Sequence, residues 1–289
     1  MAKFATFTKG GKSGIGAVDG DRVHDLSETF GGATDLLPLV EAGPEGAQKA
    51  AAAVAGGSCP VLALNDLSLS APIRRPAKIV AIGLNYIDHC HESGLPVPEK
   101  PVVFTKHTNT ITGPYDDVCW RTDITDEVDY EVELGVIIGR ETSHVSEAEA
   151  LSCVFGYSVV NDVSARDLQL GGGAGQWDLG KSLDTFCPWG PVIVTADEIG
   201  DPQNIDVRLR LNGETRQESN TRNMIFSVAY LVSYLSRHMT LVPGDLIATG
   251  TPPGVGMGMD PKGYMTDGDV CETEIEGIGT LRNKMRIIG

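Results

Sequence analysis

No stretch of this sequence reaches the ~18 consecutive apolar residues that a membrane helix requires. Basic residues are scarce: 23 Lys and Arg stand against 39 Asp and Glu, a formal net charge of -16. Nucleic acids and anionic membrane surfaces both select basic patches, so neither is an expected partner. Cysteine occurs only six times, with no CxxC pair. Cys59, Cys90, Cys119, Cys153, Cys187 and Cys271 therefore read as reduced, mostly buried thiols. Residues Met1 to Thr8 show no basic segment leading into an apolar core, and no Arg- and Ser-rich character. The expected location is the cytoplasm.

What remains is a folding chain of 289 residues, 41% hydrophobic and 21% charged. That balance excludes a disordered protein. Thirty-five glycines and 16 prolines imply many turns and few long helices. The expected organisation is a small N-terminal accessory domain, residues 1–72, followed by a catalytic domain, residues 73–289. In the first, Phe4–Thr8 and Ile15–Val18 are strands around a Gly10-Gly11 turn, and Asp19-Gly20 marks a hairpin. Ala47–Ala55 reads as a surface helix. Asn65–Pro76 is polar and proline-punctuated, as a linker would be. Beyond it, strands are expected at Ile79–Ile82, Val102–Phe104, Val132–Ile138, Val154–Val160, Val192–Val194, Val207–Leu211, Leu246–Ala248 and Cys271–Ile275. Ser146–Cys153 and Met224–His238 are the helix candidates; the second carries apolar residues at helical spacing. The strands do not alternate with helices, so the class is α+β, mainly β.

The chemistry concentrates in a few segments. In Asp129-Tyr130-Glu131-Val132-Glu133, period-2 alternation puts the three carboxylates on one face of a strand. The apolar run that follows argues that this strand is buried. Three carboxylates together repel unless a cation neutralises them, and oxygen ligands suit a hard divalent ion such as Mg²⁺. A solvated acidic edge is the competing reading. Asp162 sits in the polar turn at the end of the strand Val154–Val160, where a third ligand could reach a shared ion, though a turn or helix cap would use the same residues. His89 and Glu92 stand three apart, so on a helical turn they touch, as an oriented general base requires. His91 is the rival on spacing alone, and a purely structural histidine is the other outcome.

Two further segments invite a ligand. Gly175-Gln176-Trp177-Asp178-Leu179-Gly180-Lys181-Ser182 matches the phosphate-loop pattern letter for letter. Its context opposes that reading: no hydrophobic strand precedes it, and Pro188 and Pro191 follow where a helix should run. Lys181 is better suited to contact an oxyanion. Gly250-Thr251-Pro252-Pro253-Gly254-Val255-Gly256 leaves a strand as a rigid loop whose amides can bind a carboxylate, or which simply makes a tight turn.

Taken together and in order, these blocks resemble the fumarylacetoacetate hydrolase family from about Pro76 to the C-terminus. The matching segments are Gly83-Leu84-Asn85-Tyr86 with His89 and Glu92, Phe104-Thr105-Lys106, Glu131-Val132-Glu133-Leu134, Asp162 to Asp167, Gly180-Lys181-Ser182 with Asp184-Thr185-Phe186, and Gly250 to Gly256. The resemblance implies a mixed β-roll core with few helices, and a homodimer or higher homo-oligomer. It implies that Glu131, Glu133 and Asp162 hold Mg²⁺ or Mn²⁺, that His89 with Glu92 is the base, and that Lys181 meets a developing oxyanion. Arg166, Gln169, Thr251 and Lys106 would contact the substrate, a small 2-oxo acid. Asp129 is not a ligand in that pattern. The implied activity is hydrolysis of the C3–C4 bond of a 2,4-dioxo acid, an acylpyruvate or a diketo-deoxy sugar acid, through a metal-stabilised enolate. The alternatives on the same site are oxaloacetate tautomerisation or decarboxylation and dienedioate isomerisation. A nucleotide-binding protein built on Gly175–Ser182, or a catalytically silent family member, are the readings from other classes.

Overall fold

The computed structural model describes residues 3–92, 94, 96–171 and 175–289. The strand Val132–Ile138 is buried at every residue. Such a strand must be covered on both faces, which is why it reads as a nearly unbroken apolar run. It pairs antiparallel with Val154–Asn161 on one side and with Leu246–Ala248 on the other. Leu246–Ala248 runs parallel to Ile79–Gly83, which hairpins onto Val102–Lys106 at the sheet edge. In the other direction Val154–Asn161 pairs with Cys187–Thr195. That strand accommodates Pro191 where its register against Val154–Asn161 shifts, and Pro188 at its start, both places where a strand tolerates proline.

The N-terminal strands extend this same sheet. Lys3–Lys9 pairs with Cys187–Thr195 through Phe4 and Ile193, then with Lys12–Asp19. Arg22–Asp25 and Val61–Ala63 follow outward. Part of the expected linker is itself a strand: Ser68–Ser70 pairs with Lys3–Lys9, Thr6 facing Ser70. The expected alanine helix runs Gly43–Ala55.

A second, five-stranded sheet carries Glu214–Asn220, Asp206–Leu211, Val270–Ile275, Gly279–Ile287 and Val118–Trp120 in that order. Leu134, Val136 and Ile138 pack from the first sheet against Val207, Leu209, Leu281 and Met285 from the second. The opposite face of the first sheet, with Ile137, Val160 and Ile193, is covered by N-terminal residues including Phe4, Leu26 and Leu39. Successive side chains of a strand face opposite cores, so Glu133 points away from the first core.

The best helix begins later than its periodicity predicts. It runs Val228–His238, with Ser227 accepting the Tyr230 N–H as its N-cap. Met224 is extended and Ile225 and Phe226 form a bend, because a distant residue claims the backbone amides of the last two. Asn85 Oδ1 accepts the Phe226 N–H at 2.8 Å, and the Asn85 carbonyl accepts that of Ile225. Asn85 Nδ2 donates to Thr249 O at 2.7 Å, fastening the end of Ile79–Gly83 to the end of Leu246–Ala248. Among the described residues, no helix is long and apolar enough to cross a membrane.

Candidate active site

Glu131 and Glu133 flank the start of the strand Val132–Ile138, and Asp162 follows the end of its partner Val154–Asn161. The register pairs Val132 with Asn161. It therefore sets Glu131 beside Asp162, and the Asp162 N–H donates to the Glu131 carbonyl at 3.0 Å. Asn161 Oδ1 accepts the Glu131 N–H in turn. One oxygen from each of Glu131, Glu133 and Asp162 lies within 4.8 Å of the others, and all three residues are buried.

Asp129 is not part of this group. The expected single strand is broken: Val128–Asp129 pairs with Ser164–Ala165, and Val132 begins a new strand. The Asp129 carboxylate turns instead to Arg166 Nε at 2.8 Å and to the N–H groups of Gly256 and Met257 at 2.7 and 3.0 Å.

Two buried lysines and an arginine balance most of the acid. Lys181 Nζ bridges Glu131 Oε2 at 2.8 Å and Asp162 Oδ2 at 2.9 Å. Its amine is thus committed to carboxylates, in keeping with the rejected phosphate loop. Lys106 Nζ lies 2.6 Å from Asp162 Oδ1 and also donates to the carbonyls of Val163 and Lys181. An ammonium has three hydrogens, so Lys106 has none left for a substrate. The expected substrate contact is in fact a support behind Asp162. Arg166 Nη1 donates to Gln169 Oε1, while Nη2 makes a 2.7 Å ion contact with Glu131 without hydrogen-bond alignment.

The electrostatics separate the carboxylates. Burial pushes the Glu131 carboxyl up, but Lys181 and then Arg166 outweigh it and hold it down at about 2. Burial also pushes Glu133 up, and here the charges of Asp162 and Glu131 push the same way, leaving it well above the usual carboxylate range. Its partner is a backbone amide, the Gly250 N–H at 2.9 Å. Burial lowers Lys181, yet Asp162 and Glu131 more than restore it, so its ammonium form is favoured. An all-oxygen set with one carboxylate short of a counter-charge fits a hard divalent cation.

Above this group, His89 Nδ1 lies 3.0 Å from Glu92 Oε2 on the short helix Ile87–Glu92. Glu92 Oε1 accepts the Gly254 N–H at 2.8 Å, so the glycine-rich loop seats the pair. His89 is buried and lines the cavity of the site, while His91 is exposed. A cavity of about 210 Å³ is lined by His89, Glu131, Glu133, Arg166, Gln169, Lys181 and Thr251. Thr251 lends its wall rather than its hydroxyl, which donates to Val132 O and accepts from Gln217 Nε2.

Residues 78–286 match the family model "Fumarylacetoacetate (FAA) hydrolase C-terminal". The chain belongs to the fumarylacetoacetate hydrolase family. The resemblance carried by the sequence blocks holds, as does the mainly-β fold with few helices. Over 287 residues the chain is 46% identical to 2,4-didehydro-3-deoxy-L-rhamnonate hydrolase of Sphingomonas sp. (strain SKA58), covering 98% of this chain and 95% of that protein. Over 226 residues it is 45% identical to a mitochondrial oxaloacetate tautomerase of Bos taurus, 78% of this chain and 72% of that one. The crystal structure of maleylpyruvate hydrolase from Sphingobium sp. SYK-6 in complex with manganese(II) ion and pyruvate superposes with a TM-score of 0.83 at 32% identity, covering 99% and 100% of the two chains. This fumarylacetoacetate hydrolase family member is a metal-dependent enzyme, and Glu131, Glu133 and Asp162 form its divalent-cation site.

Several contributors were missed from the sequence. Leu84, Phe104, Leu170, Trp177 and Met257 supply the apolar wall of the cavity. Trp177 packs edge-on against Phe104, ring centroids 5.4 Å apart. Its position inside the segment that matches a phosphate loop letter for letter was the available signal, since an indole there blocks phosphate and must serve something else. Gln217, which holds Thr251, Pro252 O and Val132 N, lies in a polar strand that gave no signal.

Proposed function

We propose that the enzyme hydrolyses the C3–C4 bond of a 2,4-dioxo acid, releasing pyruvate and a carboxylic acid. The observation that carries this reading is the His89–Glu92 pair, seated by Gly254 against a cavity whose other wall is the carboxylate group. Mg²⁺ or Mn²⁺ is the ion we assign to Glu131, Glu133 and Asp162. When bound, it would hold the carboxylate and 2-oxo oxygens of the substrate and make C3 a better leaving carbon.

The chain's own groups do the rest. Glu92 accepts the Nδ1–H of His89, which leaves Nε2 free to take a proton from water. The hydroxide adds to the C4 carbonyl, C3–C4 breaks with its electron pair going to C3, and the proton on His89 returns to C3. Lys181 spends two hydrogens on carboxylates and keeps a third for the oxygen that gains charge. Arg166 Nη2, buried and without an aligned hydrogen bond, suits the substrate carboxylate, with Gln169 beside it. Thr251 and Lys106 fix the wall and the ligand Asp162. A homodimer or larger homo-oligomer belongs to the same reading, and light scattering tests it.

A second reading is favoured by the 45% identity to an oxaloacetate tautomerase. There the same pair would shuttle a proton at C3 without admitting water. A proton NMR time course decides between them. Acetylpyruvate and oxaloacetate are offered separately with Mg²⁺, each with an EDTA control. Acetate plus pyruvate formed only with Mg²⁺ supports hydrolysis. Accelerated enol–keto exchange of oxaloacetate, with acetylpyruvate untouched, replaces it with tautomerisation.

A further inference from the structure

We infer that Asp129 is a positioning residue that couples the substrate-carboxylate clamp to the general base. The inference rests on the proposed roles of Arg166 and of His89–Glu92. Asp129 is fully buried. Its carboxylate accepts four hydrogen bonds: from Arg166 Nε, from the N–H of Gly256, from that of Met257, and from that of Tyr130. Two of these donors belong to the glycine-rich loop. Two residues before Gly256, the same loop donates from Gly254 to Glu92. Gly258 closes the seat: a β-carbon there would come within 2.7 Å of the Glu92 carboxyl carbon.

One carboxylate thus fixes the clamp directly and the base through four residues of loop. An amide cannot replace it, because Oδ1 and Oδ2 each accept two N–H groups and an amide nitrogen would face two of the four donors. Remote misplacement of reacting groups by about 1 Å costs on the order of 10²-fold in rate. The coupling makes a specific demand: weakening Asp129 must disturb Arg166 and Glu92 separately, each through its own connection.

The test is a set of double-mutant cycles on the purified metal-loaded enzyme, using whichever of acetylpyruvate or oxaloacetate the wild type turns over. Turnover of neither removes the underlying reading; the cycles address Asp129 alone. Asp129→Asn is expected to raise KM and lower kcat, together reducing kcat/KM about 10²-fold. The KM effect should vanish in an Arg166→Met background, and the kcat effect in a Glu92→Gln background. A purely structural role would give effects that add in both backgrounds, and that result overturns the proposal, as does wild-type kcat and KM in Asp129→Asn. If Asp129→Asn does not fold, Gly258→Ala decides. It should lower kcat with KM and melting temperature nearly unchanged, and lose that effect in Glu92→Gln. Unchanged kcat in Gly258→Ala shows that the loop does not seat the base.

Discussion

Replacing Glu133 by Gln should separate metal binding from stability. An amide keeps an acceptor for the Gly250 N–H and removes the charge. At the observed spacing of up to 4.8 Å, two carboxylates repel by roughly 3.5 kcal/mol at an effective dielectric of about 20. Glu133 is raised well above the usual carboxylate range first by its burial and then by this repulsion from Asp162 and Glu131. The folded protein therefore holds that proton more tightly than the unfolded chain, where the carboxyl titrates near 4.5. The resulting stability is complete below that value and is lost as pH rises through the folded pKa. Glu131, held at about 2, runs the other way: its contribution is present above 4.5 and lost as pH falls toward 2.

In EDTA, Glu133→Gln should thus melt at or above the wild-type temperature, and the advantage should grow with pH. With Mg²⁺ the order reverses. At 100 times Kd an ion adds about 2.7 kcal/mol to the wild type. At about 2–4 °C per kcal/mol for chains approaching this size, that is a rise of roughly 5–10 °C. The variant should show no rise. Thermal melts at pH 5.5 and 8, with EDTA and with Mg²⁺, measure all four quantities. A variant that still rises with Mg²⁺ like the wild type, or that melts well below it in EDTA at pH 8, refutes the charge argument.

Three further outcomes follow from the same geometry. His89→Ala should slow turnover about 10²–10⁴-fold, the range for loss of a general base, while keeping the Mg²⁺-dependent rise in melting temperature; His91→Ala should leave the rate near wild type, and the opposite pattern would move the base to His91. Lys106→Met should cost about 1–3 kcal/mol or more, because it takes one of two ammonium partners from the buried Asp162 and leaves the carbonyls of Val163 and Lys181 without that donor, and an unchanged urea midpoint would contradict that. Gly83→Ala would drive a β-carbon into the Trp177 ring, so the indole must shift and the cavity wall with it; KM should rise with little loss of stability, and a wild-type KM would mean that Trp177 does not bound the substrate.

The legible parts of this site were those fixed by local periodicity. Glu131 and Glu133 converge because they stand two apart, and Asp162 joins them because it follows the strand that pairs with theirs. His89 meets Glu92 across one helical turn. The illegible parts depend on chain that is distant in sequence. The strand break after Asp129 answers to Arg166 and to the loop at Gly256, neither of which is visible in a window around position 129. The helix expected from Met224 starts at Val228 because Asn85 takes the intervening amides. Lys106 lies at the end of an edge strand, and periodicity cannot say that its amine reaches back under Asp162.

The distribution of charge also explains how a site with so many buried acids tolerates the reaction. Asp129, Glu131, Glu133 and Asp162 face Lys106, Lys181 and Arg166, which leaves one negative charge over. A divalent ion would turn that into one positive, matching the single carboxylate of a 2-oxo acid. On the proposed hydrolytic reading, a proton passed from water to His89 would give the His89–Glu92 pair the positive charge that the substrate's new oxyanion requires. On that reading no step asks the enclosed cavity to hold an unbalanced charge, which is the condition under which preorganised groups stabilise a transition state most. The lysines serve this by holding Glu131 and Asp162 in place before any ion arrives, whereas Glu133 is held by a backbone amide and has no ion pair among the described residues.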